Sequence, residues 1–211
     1  MSVLNEISAA VQAGKAKDVK ALVQQAIDEG IDAKTILEEG MLAGMDVVGK
    51  KFKNNEVFVP EVLIAARAMK AGSNVLKTVL VGEDVEPVGK VVVGTVAGDM
   101  HDIGKNLVCM MLEGKGLEVI DLGVDVPSQE FIDTALDEGC SVICLSALLT
   151  TTMGVMGDIV ELCKQQGVRD KFKIMIGGAP VTQEFCDKIG ADAYTPDAAS
   201  CAEVALGFCQ E

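Results

Sequence analysis

Between residues 83 and 89 the hydrophobic period of this 211-residue chain changes, from the period of helices to that of strands alternating with helices. No single architecture accommodates both patterns, so the chain must fold in two parts. Up to residue 82 the apolar residues recur three and four apart. Leu4, Ile7 and Val11 line one short helix, Val19, Leu22, Val23, Ala26 and Ile27 line a second, and Gly14 and Gly30 close them. Asp32 is placed to cap a third stripe, Leu37, Met41, Met45, Val48 and Phe52, which runs to the Lys53-Asn54-Asn55 break. Pro60 suits a first helical turn, after which Val62, Leu63, Ala66, Met69, Val75, Leu76 and Val79 continue a fourth helix. Four amphipathic helices on short connections predict a small bundle over residues 1–82.

Residues 83–89 lose the period and mix acids with Pro87 and Gly89, which marks them as a linker. Over residues 90–211, strand-length apolar runs at 91–96, 118–121, 141–145, 172–176 and 191–194 alternate with helical segments. The first of these helices carries Ile103, Leu107, Met110 and Met111 on one face, the next begins at Ser128, a third ends near Gly167, and the last follows Pro196. Five βα repeats with nearly continuous apolar strands predict a parallel sheet covered on both faces, in a flavodoxin-like or Rossmann-like domain. The fold class is α + α/β. Any ligand should lie outside the carboxyl ends of the strands.

Composition narrows the partners. Hydrophobic residues make up 49% of the chain, yet there are six Phe, one Tyr and no Trp, so the core is aliphatic. Lys and Arg number 18 against 32 Asp and Glu, a net charge of −14 that argues against nucleic acid or an anionic membrane as partner. The first residues have neither a basic nor an apolar targeting region, and no apolar run reaches the ~18 residues of a membrane span, which points to the cytoplasm. Seven cysteines, an odd number with no CxxC pair, suggest neither a disulfide framework nor a zinc cluster; they read as small buried hydrophobes in a reducing compartment.

The loops after the strands carry the chemistry. The first holds Asp99-Met100-His101-Asp102-Ile103-Gly104, with the only histidine of the chain; the third holds Ser146 to Thr152, with Leu148 and the hydroxyls of Thr150 and Thr152; the fourth holds Gly177-Gly178. No GxGxxG or GxxxxGK[ST] stands at the first βα turn, which disfavours a nucleotide, and Ser146-Ala147 stand where a phosphorelay receiver would need an Asp. Asp99 is two residues before His101, close enough in a turn to take the proton of one ring nitrogen while the other faces a ligand. A single histidine cannot build a metal site. The metal would have to arrive in a ligand frame of its own, such as a macrocycle.

Asp99-x-His101-x-x-Gly104, 41 residues, Ser146-x-Leu148, 28 residues and Gly177-Gly178 resemble the signature of cobalamin-binding domains that hold the cofactor base-off with a protein histidine on cobalt. The helical half resembles the four-helix cap of methyl-carrying corrinoid proteins, as in the cobalamin module of methionine synthase and the corrinoid proteins of methylamine, methanol and aryl methyl ether methyltransferase systems. The resemblance implies His101 as the lower axial cobalt ligand, Asp99 as its hydrogen-bond partner and Thr152 as the relay hydroxyl. It further implies that Ser146 and the chain near Leu148 hold the displaced base, with Gly104, Gly177 and Gly178 leaving room for its nucleotide loop. Phe52 and Val59 fall on the two apolar residues that cover the methyl-bearing face.

The implied activity is a corrinoid methyl carrier, base-off and His-on, cycling between Co(I) and methyl-Co(III). Its implied partners are a substrate-specific methyltransferase of barrel type, an acceptor methyltransferase serving tetrahydrofolate or a thiol, and a reductive activase. The chain has no room for a barrel of ~250 residues, so it is read as a component that is not catalytic alone. The rival readings are a cobalamin-dependent sensor or regulator and the cofactor subunit of an adenosylcobalamin mutase.

Overall fold

A computed structural model describes residues 2–76 and 87–210, which fall into two compact units, one within 1–86 and the other within 87–211. The predicted continuation of the fourth helix to Val79 and most of the 83–89 linker lie outside the described residues.

The first unit is helical. α1 (Val3–Gln12) is capped by the Ser2 hydroxyl and α2 (Ala16–Asp28) follows it directly. At the end of α1 the Gly14 amide donates to Val11 O and the Lys15 amide to Ala10 O, a closure that needs the positive φ of Gly14. A short α3 (Ala33–Thr35), capped by Asp32, runs through a π-helical stretch, Ile36–Leu42, into α4 (Ala43–Lys53). This makes one physical difference from the sequence pattern. The wider π turn rotates the buried face, so Ile36 and Met41 are sealed while Leu37 is only half-buried.

α5 (Val59–Leu76) completes the four-helix arrangement, with the 33–53 helix counted as one. Its buried face is built from Val62, Ala65, Ala68, Met69, Gly72 and Leu76, in place of the expected Leu63, Ala66 and Val75, which are half-buried. Small residues let α2 approach: a Cβ on Gly72 would sit 2.8 Å from Val19 Cγ1 and 3.0 Å from Met41 Sδ.

The second unit is a five-stranded sheet of β1 (Lys90–Thr95), β2 (Glu118–Asp121), β3 (Val142–Ser146), β4 (Lys173–Gly177) and β5 (Ala193–Tyr194). All pairings are parallel and the order is β2-β1-β3-β4-β5, the flavodoxin-like order. The expected Ala191-Asp192 start of the last strand is not part of β5; the Asp192 carboxylate instead accepts from the Ile174 amide and Arg169, fastening the strand ends.

Helices α6 (Ile103–Glu113), α7 (Ser128–Asp137), α8 (Met153–Gln165), α9 (Gln183–Ile189) and α10 (Ala198–Gln210) complete the unit. Side chains alternate between the faces of the sheet. Val92, Val96, Ile143, Leu145, Ile174 and Ile176 pack with Phe131 and Ile132 of α7 and Met156, Ile159 and Val160 of α8. Gly94 leaves space for the Phe131 ring, which a Cβ would meet at 2.7 Å. Val91, Val93, Cys144 and Met175 are buried on the other face, the side of α6 and α10. Six of the cysteines are buried and Cys209 is half-buried, all as free thiols.

The chain leaves β1 toward β2 on one side and later places β3 on the other. The crevice where this order reverses lies between the loops that follow β1 and β3, and both predicted polar loops are there.

Candidate cofactor site at the carboxyl edge of the sheet

β1 delivers a loop that is bonded from several sides. Val96 bridges to Val126, the Asp99 amide donates back to Val96 O at 3.1 Å, and the buried Thr95 hydroxyl donates to His101 O at 2.8 Å. The chain then enters α6, where the Asn106 amide donates to Asp102 O. This brings a sealed Asp99 against a half-exposed His101.

Asp99 accepts five hydrogen bonds. Oδ1 takes the His101 amide at 3.1 Å and the His101 ring at Nδ1 at 2.6 Å; Oδ2 takes the amides of Leu148 at 2.8 Å and Leu149 at 3.1 Å and the Thr152 hydroxyl at 3.0 Å. Burial pushes this carboxyl up, but the bonds from the His101 ring and from the Leu148, His101 and Leu149 amides outweigh it and hold the group well below the usual carboxylate range. An anion at Asp99 assigns the Nδ1 position to N–H, which leaves the Nε2 lone pair for a ligand.

The neighbours of His101 are unusual for a surface. Met100 is 68% exposed, Ile103 79%, Leu148 44% and Leu149 40%. Ile103, expected on the buried face of its helix, is instead in solvent at the first turn of α6, whose packed face starts at Lys105 and Leu107. Asp102 and Thr150 are exposed, and Ser146 is half-buried at the end of β3, where its carbonyl accepts from the Val96 amide at 3.0 Å.

The three glycines divide. A Cβ on Gly104 would meet nothing within 4 Å, and one on Gly177 only Thr195 O at 3.8 Å, so both leave open space. Gly178 is required by the protein itself: φ is +131° and a Cβ would overlap the Ala147 carbonyl oxygen. Phe52 and Val59 are half-buried in the helical unit, on either side of the turn between α4 and α5.

Sequence reasoning missed three residues. Lys105, 2% exposed, lays its ammonium 2.6 Å from both oxygens of Asp121 and 2.7 Å from Asn106 Oδ1, fastening the start of α6 to the end of β2. Lys105 lies off the predicted Ile103, Leu107, Met110 and Met111 stripe, and its signal is its spacing before the buried Cys109 and Leu112 on another face of the helix. Asp125, through its carboxylate and its amide, and Leu149, through its amide, act by loop contacts that the linear sequence does not report.

The site fits a corrinoid. Among the described residues no group of three or more His, Cys, Asp or Glu could hold a bare metal ion, and the nitrogen donor this edge offers to a ligand is Nε2 of His101. Exposed apolar side chains around that nitrogen suit a broad ring that carries its own metal, and the open space at Gly104 and Gly177 suits its appendages.

Comparison with known proteins agrees. Two family models, each described as a B12 binding domain, match residues 3–77 and 89–204. A dimethylamine corrinoid protein of Methanosarcina acetivorans is 44% identical over 196 residues, covering 92% of this chain and 90% of that one. A solved structure of the methanol:cobalamin methyltransferase complex MtaBC from Methanosarcina barkeri superposes with a TM-score of 0.90 at 30% identity, over 98% of this chain and 79% of that one. A cobalamin-binding protein of Desulfitobacterium hafniense superposes at 0.81 and 30% identity, over 97% and 98%. With both units matched and the relatives covered nearly end to end, the chain belongs to the B12-binding corrinoid proteins of methyltransferase systems.

Proposed function

We propose that this chain is a methyl carrier that binds its corrinoid base-off, with Nε2 of His101 as the lower axial ligand to cobalt. When bound, the corrinoid supplies a cobalt centre that accepts a methyl group from one methyltransferase and yields it to another. The observation that carries the reading is the Asp99–His101 pair: a buried carboxylate fixes one ring nitrogen, and the ring stands half-exposed among apolar side chains.

With a corrinoid bound, His101 would offer Nε2 to the metal, and the residues behind it would hold the proton on Nδ1. Asp99 Oδ1 holds the Nδ1 proton, and Thr152 stands at Oδ2. Thr152 Oγ1 is 3.0 Å from Asp99 Oδ2 and 3.0 Å from Leu149 O, so its single proton has two acceptors.

Ser146, Leu148 and Thr150 would hold the cofactor's displaced base, and Gly104, Gly177 and Gly178 would leave room for its nucleotide loop. Phe52 and Val59 of the helical unit would be the apolar residues that keep water from the reacting face. The donor side is a barrel-type substrate-specific methyltransferase, in keeping with the methanol:cobalamin methyltransferase complex that contains a similar chain. The acceptor side is a second methyltransferase serving tetrahydrofolate or a thiol, and a reductive activase restores the carrier. It works in the cytoplasm, where a reducing environment suits its free thiols.

The test is reconstitution with a methylated corrinoid. His101→Ala should retain some corrinoid but change its visible spectrum and slow methyl transfer by at least about tenfold. A loaded variant indistinguishable from wild type in both would overturn the assignment.

A further inference from the structure

Asp125 stands in the left-handed backbone region, with φ of +54°, which non-glycine residues adopt uncommonly and Asp more readily than most. It stands just past β2, in the segment that folds back along the His101 loop through the Val96–Val126 bridge. Its carboxylate Oδ1 accepts the Gly98 amide at 2.6 Å, and its own amide donates to Asp99 O at 3.0 Å. One residue therefore grips the Ala97–Gly98 and Asp99–Met100 peptide units, with Asp99 between them, while the Leu148 and Leu149 amides and the Thr152 hydroxyl grip its carboxylate from the other side of the crevice. Asp125 itself is exposed, so its short bond to Gly98 is made in competition with water. A residue in the left-handed region whose carboxylate and amide both bond to the Gly98–Asp99 segment has the pattern of a positioning device.

We propose that Asp125 is a positioning residue for the axial histidine: it fixes the Gly98–Asp99 backbone, and through Asp99 it sets where the His101 ring stands. The inference rests on the reading of His101 as the cobalt ligand.

Two substitutions separate bond from fold. Asp125→Gly removes the carboxylate and relaxes the positive φ; Asp125→Asn keeps an acceptor oxygen in a residue that tolerates the same backbone. In the full chain without corrinoid, Asp125→Gly should speed exchange of the Gly98 amide by about tenfold or more, while amides of the central strands β1 and β3 keep wild-type protection. Loaded with methylcobalamin, the same variant should shift its visible spectrum toward that of His101→Ala, and Asp125→Asn should restore most of both signals.

Wild-type Gly98 exchange and a wild-type spectrum in Asp125→Gly would overturn the proposal. So would faster exchange throughout the sheet, the mark of an ordinary stabilising contact, or equal loss in Asp125→Asn, which would make the charge and not the bond responsible. If His101→Ala itself has a wild-type spectrum, the failure belongs to the ligand assignment and not to Asp125.

Discussion

The carboxylate of Asp99 holds His101 twice, accepting from the ring at 2.6 Å and from the amide of the same residue at 3.1 Å through a single oxygen. Ring and backbone are thereby tied to one buried point, and the imidazole cannot turn without breaking a bond to an anion. The other oxygen is fully occupied by the loop after β3, so the geometry of the site depends on two loops meeting at one residue.

That arrangement makes stability depend on acid. A carboxyl held below its ordinary value stabilises the fold above the unfolded value near pH 4, and the contribution fades as pH falls below it toward the folded value. Asp99→Asn also turns an amide NH2 toward groups that are themselves donors. The variant should lose on the order of 2 kcal/mol at pH 7, with the difference from wild type shrinking between about pH 4 and pH 2, as read by denaturant unfolding of the corrinoid-free chain.

The glycines of the site should respond oppositely. Gly178→Ala forces a Cβ onto the Ala147 carbonyl and should cost about 3 kcal/mol or prevent folding. Gly104→Ala and Gly177→Ala have room, so the corrinoid-free protein should stay within about 1 kcal/mol of wild type. Both should nonetheless weaken corrinoid binding, measured by titration, if that room is the cofactor's.

The Lys105–Asp121 pair should be asymmetric. Asp121→Ala strands a buried ammonium and should cost about 2 to 3 kcal/mol, the lower end of the buried-pair range because Asp121 is itself 40% exposed. Lys105→Met replaces the buried partner by an apolar chain of similar reach and should cost about 1 kcal/mol or less. Thermal unfolding of the two variants side by side decides this.

Thiol chemistry should find one site. Burial pushes Cys140 up to about 11 and Cys109 up to about 12, and Cys144 rises through its contact with Cys201 together with burial. Of the seven cysteines only Cys209 is not sealed. A disulfide reagent at pH 8 should modify Cys209 first and the other six only on unfolding; Cys209→Ser should abolish the fast phase.

Much of this was legible in the sequence because it depends on pattern. Val91–Val93, Ile143–Leu145 and Ile174–Ile176 are apolar without interruption, which marks strands buried on both faces, and Asp99 two residues before the only histidine marks a carboxylate–imidazole pair. The losses have physical causes. The rotation of the buried face from Leu37 to Ile36 comes from a π turn, which side-chain periodicity of an α-helix cannot anticipate. Ile103 fits an apolar stripe yet stands in solvent, because a residue in the first turn of α6 belongs to the rim of the site. Asp125 acts through a positive φ, one carboxylate bond and one amide bond to the His101 loop, and Gly178 through the approach of the Ala147 backbone, relationships that exist only once distant loops meet.

The presence of a single histidine offers the most direct test of the central assignment. The chain is prepared with isotopically labelled histidine nitrogen, loaded with cobalamin and reduced to the paramagnetic Co(II) form, and its electron paramagnetic resonance spectrum is compared with that of unlabelled protein. If Nε2 of His101 is on cobalt, the superhyperfine splitting changes its multiplicity with the label. A splitting that stays the same in labelled and unlabelled protein would mean that the nitrogen on cobalt belongs to the cofactor's own base, and would contradict the account.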